Sequence, residues 1–208
     1  MPPTNGENVV FAVLPADRGG KQISTGQFSG NDAGAKLTGT AVNPTVGTMT
    51  GGDLYEIVHG SWRLADGVLS GRGDALYIDG KFPGDQRLCF DAWVEKGHAA
   101  CDLDGILADR TMARYGNTGY LFAFGTYGNN FSKINREKVQ ILRLARPVIE
   151  PGKKHRIVCE KSGNVLTWHI DGKKVAEYRE TFRALEGEYI GLYTDAGAFF
   201  DNVKVYTR

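Results

Sequence analysis

Two stretches carry side chains suited to recognising a polyhydroxylated ligand. Residues 87–95 alternate, with Leu88, Phe90, Ala92 and Val94 on one side and Arg87, Cys89, Asp91, Trp93 and Glu95 on the other. The second set is a polar face with one large aromatic, Trp93, between two carboxylates. Residues 125–136 set Tyr127, Asn129, Asn130, Ser132, Lys133 and Arg136 among aromatics and read as a loop. Amides, guanidinium and aromatic rings together suit a sugar, which offers an apolar ring face and hydroxyls that need donors and acceptors. With His155 added, the candidate ligand-binding residues are Arg87, Asp91, Trp93, Glu95, Tyr127, Asn129, Asn130, Arg136 and His155.

Other ionisable residues raise different chemistry. Near the end of the chain, Phe199, Asp201, Val203 and Val205 share one side of a strand, while Phe200, Asn202, Lys204 and Tyr206 share the other. A carboxylate in an apolar row must be paired, hydrogen-bonded or bound to a cation. One reading makes Asp201 a ligand of a structural Ca²⁺ with Asp195 or Asp53, since hard oxygen donors without His or Cys suit that ion. The other makes Asp201 an acceptor for backbone amides. Asp102 and Asp104 would share one strand face, either as an acid–base pair or as residues at a strand end. The four histidines, His59, His98, His155 and His169, lack metal-ligand spacing. No catalytic residue is assigned.

Positioning these residues falls to a chain of 208 residues that is 41% hydrophobic, enough for a packed core. The net charge of +1 gives no footprint for nucleic acid. No apolar run approaches the roughly 20 residues needed to span a bilayer. No signal peptide is visible at the start, so the expected location is extracellular, periplasmic or cell-surface if one has been removed, and is otherwise unassigned. Three cysteines, Cys89, Cys101 and Cys159, read as buried thiols, with a Cys89–Cys101 bond as the alternative.

The 28 glycines lie between short apolar runs, which predicts many tight turns and an all-β fold. Strands are expected at residues 8–14, 54–58, 62–64, 68–70, 75–78, 87–95, 102–107, 119–126, 139–144, 155–161, 165–170, 174–178 and in the last twenty residues. Asp66-Gly67 and Asp171-Gly172 close hairpins. The row Tyr120, Phe122 and Phe124 is either core or groove. Residues 15–52 form a long irregular Gly/Thr-rich segment, with short strands around 22–28 and 35–41. There is no linker or repeat, so one domain spans 1–208. The fold class is a two-sheet antiparallel jelly-roll sandwich.

Three motifs carry a resemblance. The stretch Trp62-Arg63-Leu64-Ala65-Asp66-Gly67-Val68-Leu69-Ser70-Gly71 resembles the early W…D-G-V-L-x-G signature of concanavalin A-like sandwich domains. Residues 165–175 resemble their W-x-(V/I)-D-G-x-x-V hairpin, and Gly191-Leu192 with Phe200-Asp201-Asn202-Val203 resemble their closing strands. Within that group the chain resembles laminin-G-like and 3-keto-disaccharide hydrolase-like domains. The resemblance implies a bacterial, secreted, carbohydrate-associated sandwich. Two features depart from the sugar-cleaving members. The E-x-D-x-x-E strand is represented only by Asp102-Leu103-Asp104-Gly105-Ile106-Leu107, and the Y/W-E-x-Q strand only by Glu137-Lys138-Val139-Gln140. Three functions follow as expectations. The first is glycan binding on a concave aromatic and polar face, with no cofactor beyond the structural Ca²⁺. The second is cleavage of a glycoside or keto-sugar. The third is self-assembly into a homo-oligomer through residues 15–52.

Overall fold

The computed structural model describes residues 8–13, 23–28, 55–57, 61–65 and 68–207. The strands are β1 (Asn8–Val13), β2 (Ile23–Phe28), β3 (Tyr55–Ile57), β4 (Ser61–Ala65), β5 (Val68–Arg72), β6 (Asp74–Ile78), β7 (Gln86–Trp93) and β8 (Asp104–Asp109). They continue as β9 (Tyr120–Gly125), β10 (Phe131–Arg136), β11 (Val139–Leu144), β12 (His155–Ser162), β13 (Val165–Ile170), β14 (Lys173–Arg179), β15 (Tyr189–Thr194) and β16 (Ala198–Thr207). They form two antiparallel sheets, a jelly-roll sandwich as expected. The nine-stranded sheet runs β14-β13-β12-β7-β16-β1-β2, with β5 also on β16 and β4 on β5. The seven-stranded sheet runs β11-β10-β9-β8-β15-β6-β3.

The alternation in β7 fixes which way that sheet faces. Leu88, Phe90, Ala92 and Val94 are fully buried between the sheets, so Arg87, Asp91 and Trp93 point outward. From the other sheet, Tyr120, Phe122 and Phe124 are also fully buried, which makes that row core. Phe122 meets Trp168 edge to face, with centroids 5.8 Å apart. Cys89 and Cys159 are buried free thiols and Cys101 is a partly buried one, so the Cys89–Cys101 bond is absent.

Two local expectations are corrected. Residues 125–136 are a tight turn followed by a strand rather than a single loop. Tyr127, Gly128 and Asn129 take left-handed backbone angles, and β10 then begins at Phe131. Within β16, the alternation breaks at a bulge. The register on β7 shifts between Asp201 and Lys204, and Asn202 has a φ of 50°. Phe200, Val203 and Val205 therefore point into the core, while Phe199 and Asp201 point outward. Asp201 is not a carboxylate in an apolar row.

β16 also changes neighbours along its length. Ala198, Phe199 and Phe200 pair with β5, whereas Lys204–Thr207 face β1. The strand expected near residue 22 is β2, paired with β1. The strand expected at 35–41 lies outside the described residues, as do Asp53 and His59.

The outer face of the seven-stranded sheet is covered in its middle. Asp109, fully buried, accepts hydrogen bonds from the backbone N–H groups of Thr111, Ala113 and Thr118 and from the Thr118 hydroxyl. This pins the segment after β8 across the sheet, where Tyr115 packs on Tyr193 and Gly116 closes on Ile106.

Candidate functional site

A groove of about 620 Å³ opens on the outer face of the nine-stranded sheet, lined by residues of β4 and β5, the start of β16 with the turn before it, and the segment that follows β7. Its volume is in the range that holds small ligands. Alternation sets its walls. Trp62 and Phe200 turn inward and pack at 5.6 Å, so Arg63 and Phe199 turn outward. Gly71 permits this floor, because a Cβ there would fall 2.4 Å from the Trp62 ring. The chemical groups facing the groove are Arg63, Arg72, Glu95, His98, Ser61, Ser70 and the ring of Phe199.

Phe199 is held in place from behind. Its ring stacks on Trp93 with centroids 5.3 Å apart and planes 14° apart. β7 lies between β12 and β16, so the other side of Trp93 faces the chain leading into β12. There Lys154 sets its Nζ 4.3 Å from the Trp93 ring centre. Trp93 is thus filled on both sides, and Phe199 is the aromatic that meets the groove. The same Lys154 reaches Asp201 at 2.9 Å.

The residues singled out from sequence fall in several places. Glu95 lines the groove, 3.4 Å from His98. Trp93 backs it. Asp91 lies on the same sheet face but bonds Arg156 at 3.0 Å and Asn202 at 2.6 Å. Arg87 pairs with Glu160 at 3.0 Å. His155 is 2% exposed, with Nδ1 3.0 Å from Asp171 and Nε2 accepting the Glu150 N–H. Tyr127, Asn129, Asn130 and Arg136 belong to the other sheet. Tyr127 is exposed and stacks on Phe131. Asn130 donates to the Tyr127 carbonyl. Asn129 grips the backbone of Ile149, and Arg136 pairs with the buried Glu180. The structure does not gather these nine residues into one site.

Arg63, Arg72, Ser61, Ser70, His98 and Phe199 were not singled out as ligand residues. The buried Trp62 was the usable signal, since its neighbours in an alternating strand must face out. Of the carboxylates offered for a cation, Asp201 already has an ammonium partner, and Asp195 lies on the exposed turn before β16. Among the described residues no three His, Cys, Asp or Glu side chains converge as metal ligands.

Asp102 and Asp104 do lie close on the seven-stranded sheet, but Asp104 is fully buried and out of reach of a substrate. Burial pushes its carboxyl well above the usual range, and the neighbouring Asp102 adds to this. One oxygen accepts the Phe124 N–H and the other has no partner. A carboxyl with a raised folded-state pKa favours the fold most at pH below its unfolded value, about 3.9. That contribution is lost as pH rises through the folded-state value, by up to about 1.4 kcal/mol per pH unit. Asp104→Asn keeps an acceptor for Phe124 and removes the proton. Its melting temperature relative to the parent is expected to be higher at pH 8 than at pH 4. A constant difference over that range would show that Asp104 is not protonated in the fold.

No protein-family model and no curated protein matches the chain. Solved structures do. The carbohydrate binding module CBM66 from Bacillus subtilis aligns with a TM-score of 0.62 at 18% identity, covering 77% of this chain and all of that one. The Ca²⁺/Man3GlcNAc-bound exoplasmic/lumenal domain of VIP36 aligns at 0.56 and 13% identity, covering 74% of this chain and 84% of that one. A Bacillus subtilis protein with a galectin-like fold aligns at 0.55 and 12%, covering 74% and 90%. At these identities the likeness is one of fold: the chain is a jelly-roll sandwich of the concanavalin A-like type.

Proposed function

We propose that this protein is a carbohydrate-binding domain and that the glycan lies in the groove against Phe199. The observation that carries this is the combination of one outward aromatic, locked by Trp93 and Lys154, with guanidinium, carboxylate and hydroxyl groups around it. An aromatic wall takes the apolar face of a sugar ring, and the polar groups take its hydroxyls. A ring already fixed by its neighbours loses little freedom when the ligand arrives. The fold shared with a carbohydrate binding module and a glycan-bound lumenal domain supports the reading. Among the described residues the groove is lined by a single carboxylate, Glu95, whereas two-carboxylate glycoside hydrolysis needs a pair. That favours binding over cleavage.

Phe199→Ala tests it. On a glycan array, and then by calorimetry with whichever glycan binds, affinity is expected to fall about tenfold or more, or roughly 1.4–3 kcal/mol. The melting temperature should move less than for a core aromatic, because the ring is only partly buried. Trp93→Ala should give a smaller loss, since it acts only by holding Phe199. Unaltered binding by Phe199→Ala, or an array with no hits, would refute the assignment.

A further inference from the structure

The charges on the nine-stranded sheet are not evenly settled. Away from the groove, three cations on or next to the central strands have partners: Arg87 with Glu160, Arg156 with Asp91, and Lys154 with Asp201. Arg63 and Arg72 are exposed and have no ion pair or hydrogen bond among the described residues, yet both line the groove. They lie on paired strands. Arg63 faces Ser70, and Ser61 faces Arg72, which makes the two arginines diagonal neighbours on one face. Such neighbours are about 7–8 Å apart at the backbone, within reach of long side chains, and like charges so placed repel. Glu95, an acidic residue of the groove, sits beside His98.

We infer that the glycan this groove takes is acidic, bearing a carboxylate or a sulfate ester. The inference rests on the carbohydrate-binding reading. A guanidinium presents paired N–H donors that match the two oxygens of such a group, and a lysine in its place would not. One oxyanion between Arg63 and Arg72 removes their repulsion and uses donors that otherwise face water. The sugar ring then lies on Phe199, and Ser61, Ser70 and Glu95 meet its hydroxyls.

The test is a glycan array carrying uronate, sialate and sulfated sugars beside their uncharged counterparts, probed with the full chain. Signal on acidic sugars is expected, with the split between carboxylate and sulfate arms identifying the anion. Calorimetry with the best acidic hit should show a loss of about tenfold for Arg63→Gln and again for Arg72→Gln. The double variant should keep the parent's melting temperature and bind no better than it binds the uncharged counterpart. Phe199→Ala should weaken the acidic hit as well. Binding confined to neutral sugars would overturn the acidic assignment and leave the groove reading standing. Undiminished acidic binding by the double variant would also overturn it. No binding to any sugar would overturn both.

Discussion

Replacing Arg136 with alanine is expected to cost the fold about 3–5 kcal/mol, the loss typical when one partner of a buried ion pair is removed. Glu180 is 3% exposed, and its carboxylate is held by Arg136 at 2.9 Å and by the Tyr120 hydroxyl at 3.1 Å. The Tyr120 oxygen in turn accepts the Leu185 N–H at 2.9 Å, and Arg136 also donates to the Arg183 carbonyl. Removing the guanidinium strands a negative charge inside this network. Denaturant unfolding would read the loss. Adding Glu180→Gln should recover much of it, because the uncompensated charge is then gone. A loss below about 1 kcal/mol would show that Glu180 finds another partner or takes up a proton. The polar character of Arg136 made it resemble a ligand residue, whereas its work is to close the sandwich on its far side.

Asn129→Ala should be nearly as damaging, at about 3 kcal/mol or more. The side-chain amide donates to the Ile149 carbonyl and accepts the Ile149 N–H, both at 2.7 Å, and Ile149 is 2% exposed. Alanine leaves both backbone groups without these partners, at about 1–3 kcal/mol for each buried orphan. The φ of 66° at Asn129 adds a further penalty of about 1–2 kcal/mol for a residue with a plain Cβ. Asn129→Gly separates the two causes, since glycine accepts the angle and lacks only the amide. Stability by chemical denaturation should rank the parent first, then glycine, then alanine. Glycine no better than alanine would mean that the backbone angle costs nothing here.

Much of the sandwich was legible because its strands are packed on one side. The inward row of β7 and the aromatic row of β9 alternate cleanly, and a period of two is what a half-buried strand imposes. β10 was missed because Ile134 is its one apolar residue fully buried in the core, while Lys133 and Asn135 face out. The bulge at Asp201–Asn202 was missed because an extra residue leaves no mark in composition. It shows only as a changed partner across the sheet. Trp93 and Glu95 were legible as outward residues of an alternating strand. Arg63, Arg72 and Phe199 gain meaning only when β4, β5, β7 and β16 meet, and those pairings join residues far apart in sequence. The polar loops drew attention for their hydrogen-bonding groups, which turned out to be spent on the backbone.

The stack of Phe199 on Trp93 also gives the protein a built-in optical probe. Of the three tryptophans, Trp168 is sealed in the core, Trp62 lies beneath the groove floor, and Trp93 is half-buried behind the groove wall. Indole emission responds to the polarity and charge around the ring. Trp93 has an ammonium group on one side and the ligand-facing ring on the other. A ligand that settles on Phe199 will therefore be seen by an indole one ring away, so occupancy can be followed by intrinsic fluorescence without attaching a dye.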